Sequence, residues 1–148
     1  MTISIDRIVE HVSGWAGVET VPHRFGGTEF LVADKEIGHV HDVGILDLAI
    51  TKGVRDNLLE AGLASPHHVL PDSAWVSFSV TDAEDEVNAR RLLRLAYLWR
   101  ALALRRRGIE IDPSLDPEGE LDELELPAEL ETLVRTTFAD SMDSPTSV

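Results

Sequence analysis

The chain contains no cysteine, so no disulfide, thiolate nucleophile or sulfur-ligated zinc contributes to it. Lysine is almost as scarce: Lys35 and Lys52 are the only two among 13 basic residues. No apolar run approaches the roughly 20 residues that a helix needs to cross a bilayer. The opening Met1-Thr2-Ile3-Ser4-Ile5-Asp6 lacks the basic start and apolar stretch of a secretory signal. No segment resembles a P-loop, a dinucleotide-binding glycine motif or a Gly-x-Ser-x-Gly elbow. These absences lead to the expectation of a soluble cytoplasmic protein.

Acid is plentiful. The 27 Asp and Glu residues give a net charge of −14 at pH 7. Residues 112–148 hold 11 of those acids and one arginine, whereas residues 1–111 have a net charge of only −4. Such a surface repels nucleic-acid phosphates and anionic lipid, so neither nucleic acid nor membrane is an expected partner. High acid with little lysine fits a salty cytosol such as that of a halophilic archaeon, although an acidic tail alone gives a similar balance. At 148 residues and 43% hydrophobic content, the expectation is one domain over 1–111 and an acidic tail over 112–148.

Periodicity divides the first part. Ile5, Ile8, Val9 and Val12 recur at helical spacing within 3–15. Strands are expected at 18–25, 28–32, 36–41 and 45–50, with Gly26-Gly27 and Ala33-Asp34-Lys35 as turns. A helix follows over 52–64, ending near Gly62. Residues 65–72 form a proline-bracketed loop, and Trp75 to Val80 alternates as a strand. Thr81-Asp82-Ala83-Glu84 opens a long helix to about Arg107, with Leu92, Leu95, Ala96, Trp99, Leu102 and Ala103 as its apolar stripe. Short connections imply antiparallel neighbours. The fold class expected is therefore α+β: an antiparallel sheet of about five strands, helices on one face, and an acidic helical appendage.

In that appendage, 112–127 carries three prolines and reads as irregular. Pro127 then starts a helix with Leu130, Leu133, Val134 and Phe138 on one stripe. The acidic stretch is expected to fold back near Arg105-Arg106-Arg107, with its helix docked beside them. Arg90, Arg91 and Arg94 read as a solvated helix face, and His11 as a surface residue.

The candidate site lies in Glu36-Ile37-Gly38-His39-Val40-His41-Asp42. Residues two apart in a strand share a face, so His39 and His41 stand side by side. By the same parity Glu36 falls on the opposite face. If the all-apolar sets of the fourth and fifth strands face the helices, Asp47, Trp75 and Ser77 join the histidines on the other side. His67 and His68 follow in the proline-bracketed loop. His39, His41, His67 and Asp47 are the candidate catalytic residues. His23, Arg24, Glu36, His68, Trp75 and Ser77 are candidate ligand contacts, Arg24 as a clamp for a carboxylate or enolate. Three readings stay open. In a metal-free site, a histidine acts as base and its neighbours polarise a substrate oxygen. In a metal site, His39 and His41 are joined by His67 or Asp47. In the third, the histidines serve structure alone. No cofactor is required by the first reading, and the expected partner is a small molecule, either turned over or merely bound.

Lys35-Glu36-Ile37-Gly38-His39-Val40-His41-Asp42, Asp47-Leu48-Ala49, His67-His68-Val69-Leu70-Pro71 and Trp75-Val76-Ser77-Phe78 together resemble the luciferase-domain family. That family joins small prokaryotic proteins of unknown role to the fungal luciferases. The resemblance covers roughly residues 18–100. It implies that Glu36, His39, His41, Asp42, His67, Trp75 and Phe78 carry the family's pattern. It also implies chemistry like that of the fungal members, which oxygenate a hydroxylated pyrone with molecular oxygen and no added cofactor. This chain shows no counterpart of their membrane-anchoring N-terminal extension. The family name is read as homology and light emission is not expected. The order of elements is also similar to MmcQ/YjbR-like domains at the level of fold.

Overall fold

Ile5, Ile8 and Val12 are buried and form the inner face of the first helix, α1 (Ile3–Ser13), in the computed structural model, which describes residues 3–22, 26–67 and 73–142. The chain then runs through β1 (Val18–Pro22), β2 (Thr28–Val32), β3 (Lys35–Val40), β4 (Ile45–Ala49), α2 (Lys52–Glu60), β5 (Ser65–Pro66), β6 (Trp75–Ser79), α3 (Ala83–Arg106), α4 (Pro117–Leu124) and α5 (Ala128–Met142). The architecture is α+β: a sheet in the order β1-β2-β3-β4-β6-β5, antiparallel throughout, with helices packed on it. The sixth strand is the short β5, in which Ser65 and Pro66 pair with Ser77 and Val76. A two-residue stretch has no periodicity to read, so the sequence gives no sign of it.

Local chemistry sets the boundaries. Ala33 and Asp34 both take positive φ (51° and 68°), which closes a two-residue hairpin between Val32 and Lys35. The Thr51 hydroxyl accepts from Val54 N–H and caps α2. Asp82 caps α3 by accepting from Asp85 N–H at 2.8 Å, while the Asp85 carboxylate reaches back to Thr81 N–H.

The helix α3 crosses the sheet behind β2, β3 and β4, and α1 lies beside it against β1 and β2. Phe30, Val32, Val40, Leu46, Leu48 and Val76 face this layer and are buried with Leu93, Tyr97 and Leu98. The Tyr97 hydroxyl donates to Ala16 C=O at 2.7 Å, so a large core ring keeps its polar end satisfied. Among the described residues, no helix is long and apolar enough to cross a membrane.

The acidic segment departs from the irregular stretch expected between Asp112 and Pro127. It contains α4, with Pro117 in its first turn, where a missing N–H costs nothing. Leu121 and Leu124 are buried against the main core. Nor are the α3 arginines all solvated. Arg94 makes a two-pronged pair with Glu120 (2.7 and 2.9 Å), and Arg91 donates to the C=O groups of Leu124 and Glu125. Those carbonyls lie at the end of α4, where orphaned acceptors need donors. Farther on, α5 packs on α2 and α3 and buries Leu130, Val134 and Phe138 completely.

Candidate functional site

On the sheet face opposite α3, three cross-strand partners stand in a row. His39 pairs with Asp47, and Asp47 pairs with Ser77. Residues directly opposite each other in an antiparallel sheet point the same way, so imidazole, carboxylate and hydroxyl meet. Asp47 is fully buried at the centre. Its Oδ1 accepts from Ser77 Oγ at 2.5 Å. Its Oδ2 lies 3.0 Å from His39 Nε2, 2.9 Å from His41 Nε2 and 3.6 Å from His67 Nε2. One carboxylate oxygen thus gathers imidazoles from β3, from the residue just after it, and from the loop after β5. The His39 and His41 rings stand edge to face at 4.8 Å. Trp75 closes the group, 5.6 Å from the His39 ring and 6.1 Å from that of His67.

Glu36 reaches this face too, against the parity expected for it. Phe30 pairs with Gly38 and Leu31 with Glu36, which leaves Ile37 as an extra residue in β3. This bulge flips the alternation, so Glu36 and His39 lie on one side and the Glu36 carboxylate contacts His39 Nδ1. The signal available in the sequence is Gly38, because glycine inside a strand marks a bulge or a close approach. Here it marks both: a Cβ on Gly38 would lie 2.8 Å from the Asp47 carbonyl oxygen.

His39 is consequently held between two carboxylates. Burial disfavours its charged form, but the hydrogen bonds to Asp47 and Glu36 outweigh that and raise its pKa to about 9. At neutral pH it is an imidazolium with both ring nitrogens engaged. Such a group orients its neighbours and supplies fixed positive charge. It cannot take a proton from a ligand without first giving one up.

The other sequence-derived candidates divide clearly. His67, Trp75 and Ser77 are in the cluster. His23, Arg24 and His68 lie outside the described residues. Asp42 is exposed in the turn that follows β3, and Phe78 points to the other face, beside Leu92 and Leu126. For a metal, the set that converges is His39, His41 and Asp47, whose ligand atoms lie within 4.8 Å of one another. Two imidazoles and a carboxylate suit a divalent first-row ion.

No curated protein and no solved structure matches the chain. Residues 34–96 match the family model described as Luciferase domain, a span that runs from the turn before β3 into α3 and takes in Glu36, His39, His41, Asp47, His67, Trp75 and Ser77. Over this segment the chain is similar to the luciferase-domain family.

Proposed function

We propose that the Asp47 cluster is a small-molecule site for acid–base chemistry on an enolic or aromatic hydroxy compound. One observation carries this reading: imidazoles from two separate stretches of chain gather on a single buried carboxylate. Asp47 fixes the orientation of His41 and His67 through Nε2, as a carboxylate does for a catalytic histidine. A ring so oriented takes the proton of a substrate hydroxyl. The His39 imidazolium stabilises the enolate or phenolate that results, and Trp75 offers a flat apolar wall for the ring of the ligand. An electron-rich anion of that kind is also what reacts with molecular oxygen, so an oxygenase-like outcome belongs to the same proposal. Light emission does not.

The test is oxygen uptake with hydroxypyrones and catechols by the purified protein and by a His41→Ala, His67→Ala double variant that keeps its fold. A rate lost in the variant supports catalysis. Equal rates in both proteins, at or above the background, sink it. Ligand-induced thermal stabilisation without turnover would leave a binding module instead.

The convergence of His39, His41 and Asp47 favours a second reading, in which these three hold a divalent ion. Metal analysis before and after chelation decides it. Stoichiometric metal whose removal lowers the melting temperature supports that reading, and trace metal with no such effect removes it.

A further inference from the structure

A second cluster of charge lies outside the histidine site, where the start of β3 and the end of β4 approach α3. Lys35, Ile37, Ala49, Ile50, Ala96, Trp99 and Arg100 line a cavity of about 200 Å³ there, with Glu36 at its border. The chain has 27 acids and pairs several of its arginines with them: Arg7 with Glu86, Arg94 with Glu120, Arg105 with Glu110, Arg135 with Glu118 and Asp122. Arg100 is not among these, and of the arginines with an unbonded buried Nε it is the one that lines this cavity. Its Nε is buried and has no hydrogen-bond partner among the described residues. No carboxylate pairs with it or with Lys35 among those residues. The one acid on the cavity wall, Glu36, is already engaged by His39. Arg107 adds a further positive charge near Arg100. A buried guanidinium N–H without an acceptor is costly, so its persistence at a cavity wall needs a reason.

We propose that this cavity binds a small organic monoanion, a carboxylate on a flat apolar body, with the charge on Arg100 and Lys35 and the body against Ile37, Ala96 and Trp99. A planar guanidinium fork matches a carboxylate, and the lysine adds a mobile positive charge at the mouth. Apolar side chains make up the remaining wall, which favours a carbon body over a bare inorganic ion. The volume falls below the roughly 300–1,000 Å³ of pockets for drug-sized ligands, so a compound of one ring is the largest that fits. The site stands on the α3 side of the sheet and does not depend on the chemistry proposed for Asp47.

Benzoate is the probe, with benzyl alcohol as its neutral counterpart, in calorimetric titrations of the full chain. The wild type binds benzoate and not benzyl alcohol. Arg100→Gln weakens binding by about tenfold or more, the loss expected for one charged hydrogen bond. Lys35 is exposed, so Lys35→Gln keeps the fold and reports even if the Arg100 variant does not; it weakens benzoate by about threefold, the smaller effect of an exposed charge. A thermal melt of each variant establishes that it is folded. No benzoate binding by the wild type, equal binding of the alcohol, or unchanged affinity in Lys35→Gln would each overturn the proposal.

Discussion

Ser77 and Asp47 are cross-strand partners, and the Ser77 hydroxyl donates to Asp47 Oδ1 at 2.5 Å. This bond aims the carboxylate, because with Oδ1 directed at β6 the other oxygen faces His39, His41 and His67. Removing a donor to a buried charged acceptor costs about 1.5–3 kcal/mol. Ser77→Ala is expected to lose that much, seen in urea unfolding as a lower midpoint at unchanged slope. An unchanged midpoint would make the hydroxyl incidental to the site.

The pH dependence has a definite sign. His39 titrates at about 9 in the folded protein, above the ordinary 6.5. Its contribution to stability is therefore complete below about pH 6.5 and disappears as the pH rises through about 9. Chelator-treated protein should melt at progressively lower temperature across that window. Glu36→Gln removes one of the two partners that raise the pKa, so the fall should be smaller and finish at lower pH. The His39 ring resonances in NMR titrations report the same shift directly. A titration near 6.5 in the wild type would show that the two carboxylates do not hold the proton.

Strand parity alone makes much of this site legible in the sequence. Val76 and Val80 need a core to face, and that turns Trp75 and Ser77 to the other side. The same rule carries Asp47 and His39 to join them. His67 is harder to place, since a loop has no period, and only its position between prolines marks it. Parity puts Glu36 on the wrong face because alternation has a phase but no way to register an extra residue. The α4 helix escapes the sequence for a related reason. Three prolines suggest irregular chain unless one of them sits in a first turn, and Leu121 and Leu124 gain their helical meaning only from the surface of α3 that they cover. Arg91 and Arg94 are misleading in the same way, because a helix face is solvated only if nothing later in the chain returns to it.

Two glycines hold β3 in place by close approach. Gly27 has φ of +100°, and a Cβ there would meet the Val40 carbonyl oxygen at 1.9 Å and His41 Cα at 2.9 Å. Gly38 leaves 2.8 Å to the Asp47 carbonyl. In both cases the obstacle is backbone, which cannot swing aside as a side chain can. Overpacking costs about 1–3 kcal/mol, so Gly38→Ala is expected to be destabilised by that amount. Gly27→Ala adds strain of about 1–3 kcal/mol from the left-handed backbone and should lose more. Each variant should also displace a histidine, so the ring signals of His39 or His41 should move. Thermal midpoints equal to wild type in both variants would contradict the tight packing of β3 between its neighbours.

The acidic tail is expected to be structural as well as charged. Phe138 is fully buried and stacks at 5.1 Å on Trp99 of α3. Two turns earlier, Leu130 lies in the same core, as does Val134 between them. Truncating a buried phenylalanine removes its transfer energy and leaves a cavity, a combined loss of about 3–5 kcal/mol. Phe138→Ala should approach that figure if α5 remains docked throughout the folded state. A helix that undocks readily would show much less, since its ring would already spend time in water. The surface pair of Arg135 with Glu118 and Asp122 offers the control, because all three are accessible to solvent and exposed ion pairs contribute little. Arg135→Gln should therefore change chemical-denaturation stability little where Phe138→Ala changes it greatly. Comparable small losses in the two variants would mean that the buried face of α5 does not hold the acidic segment on α3.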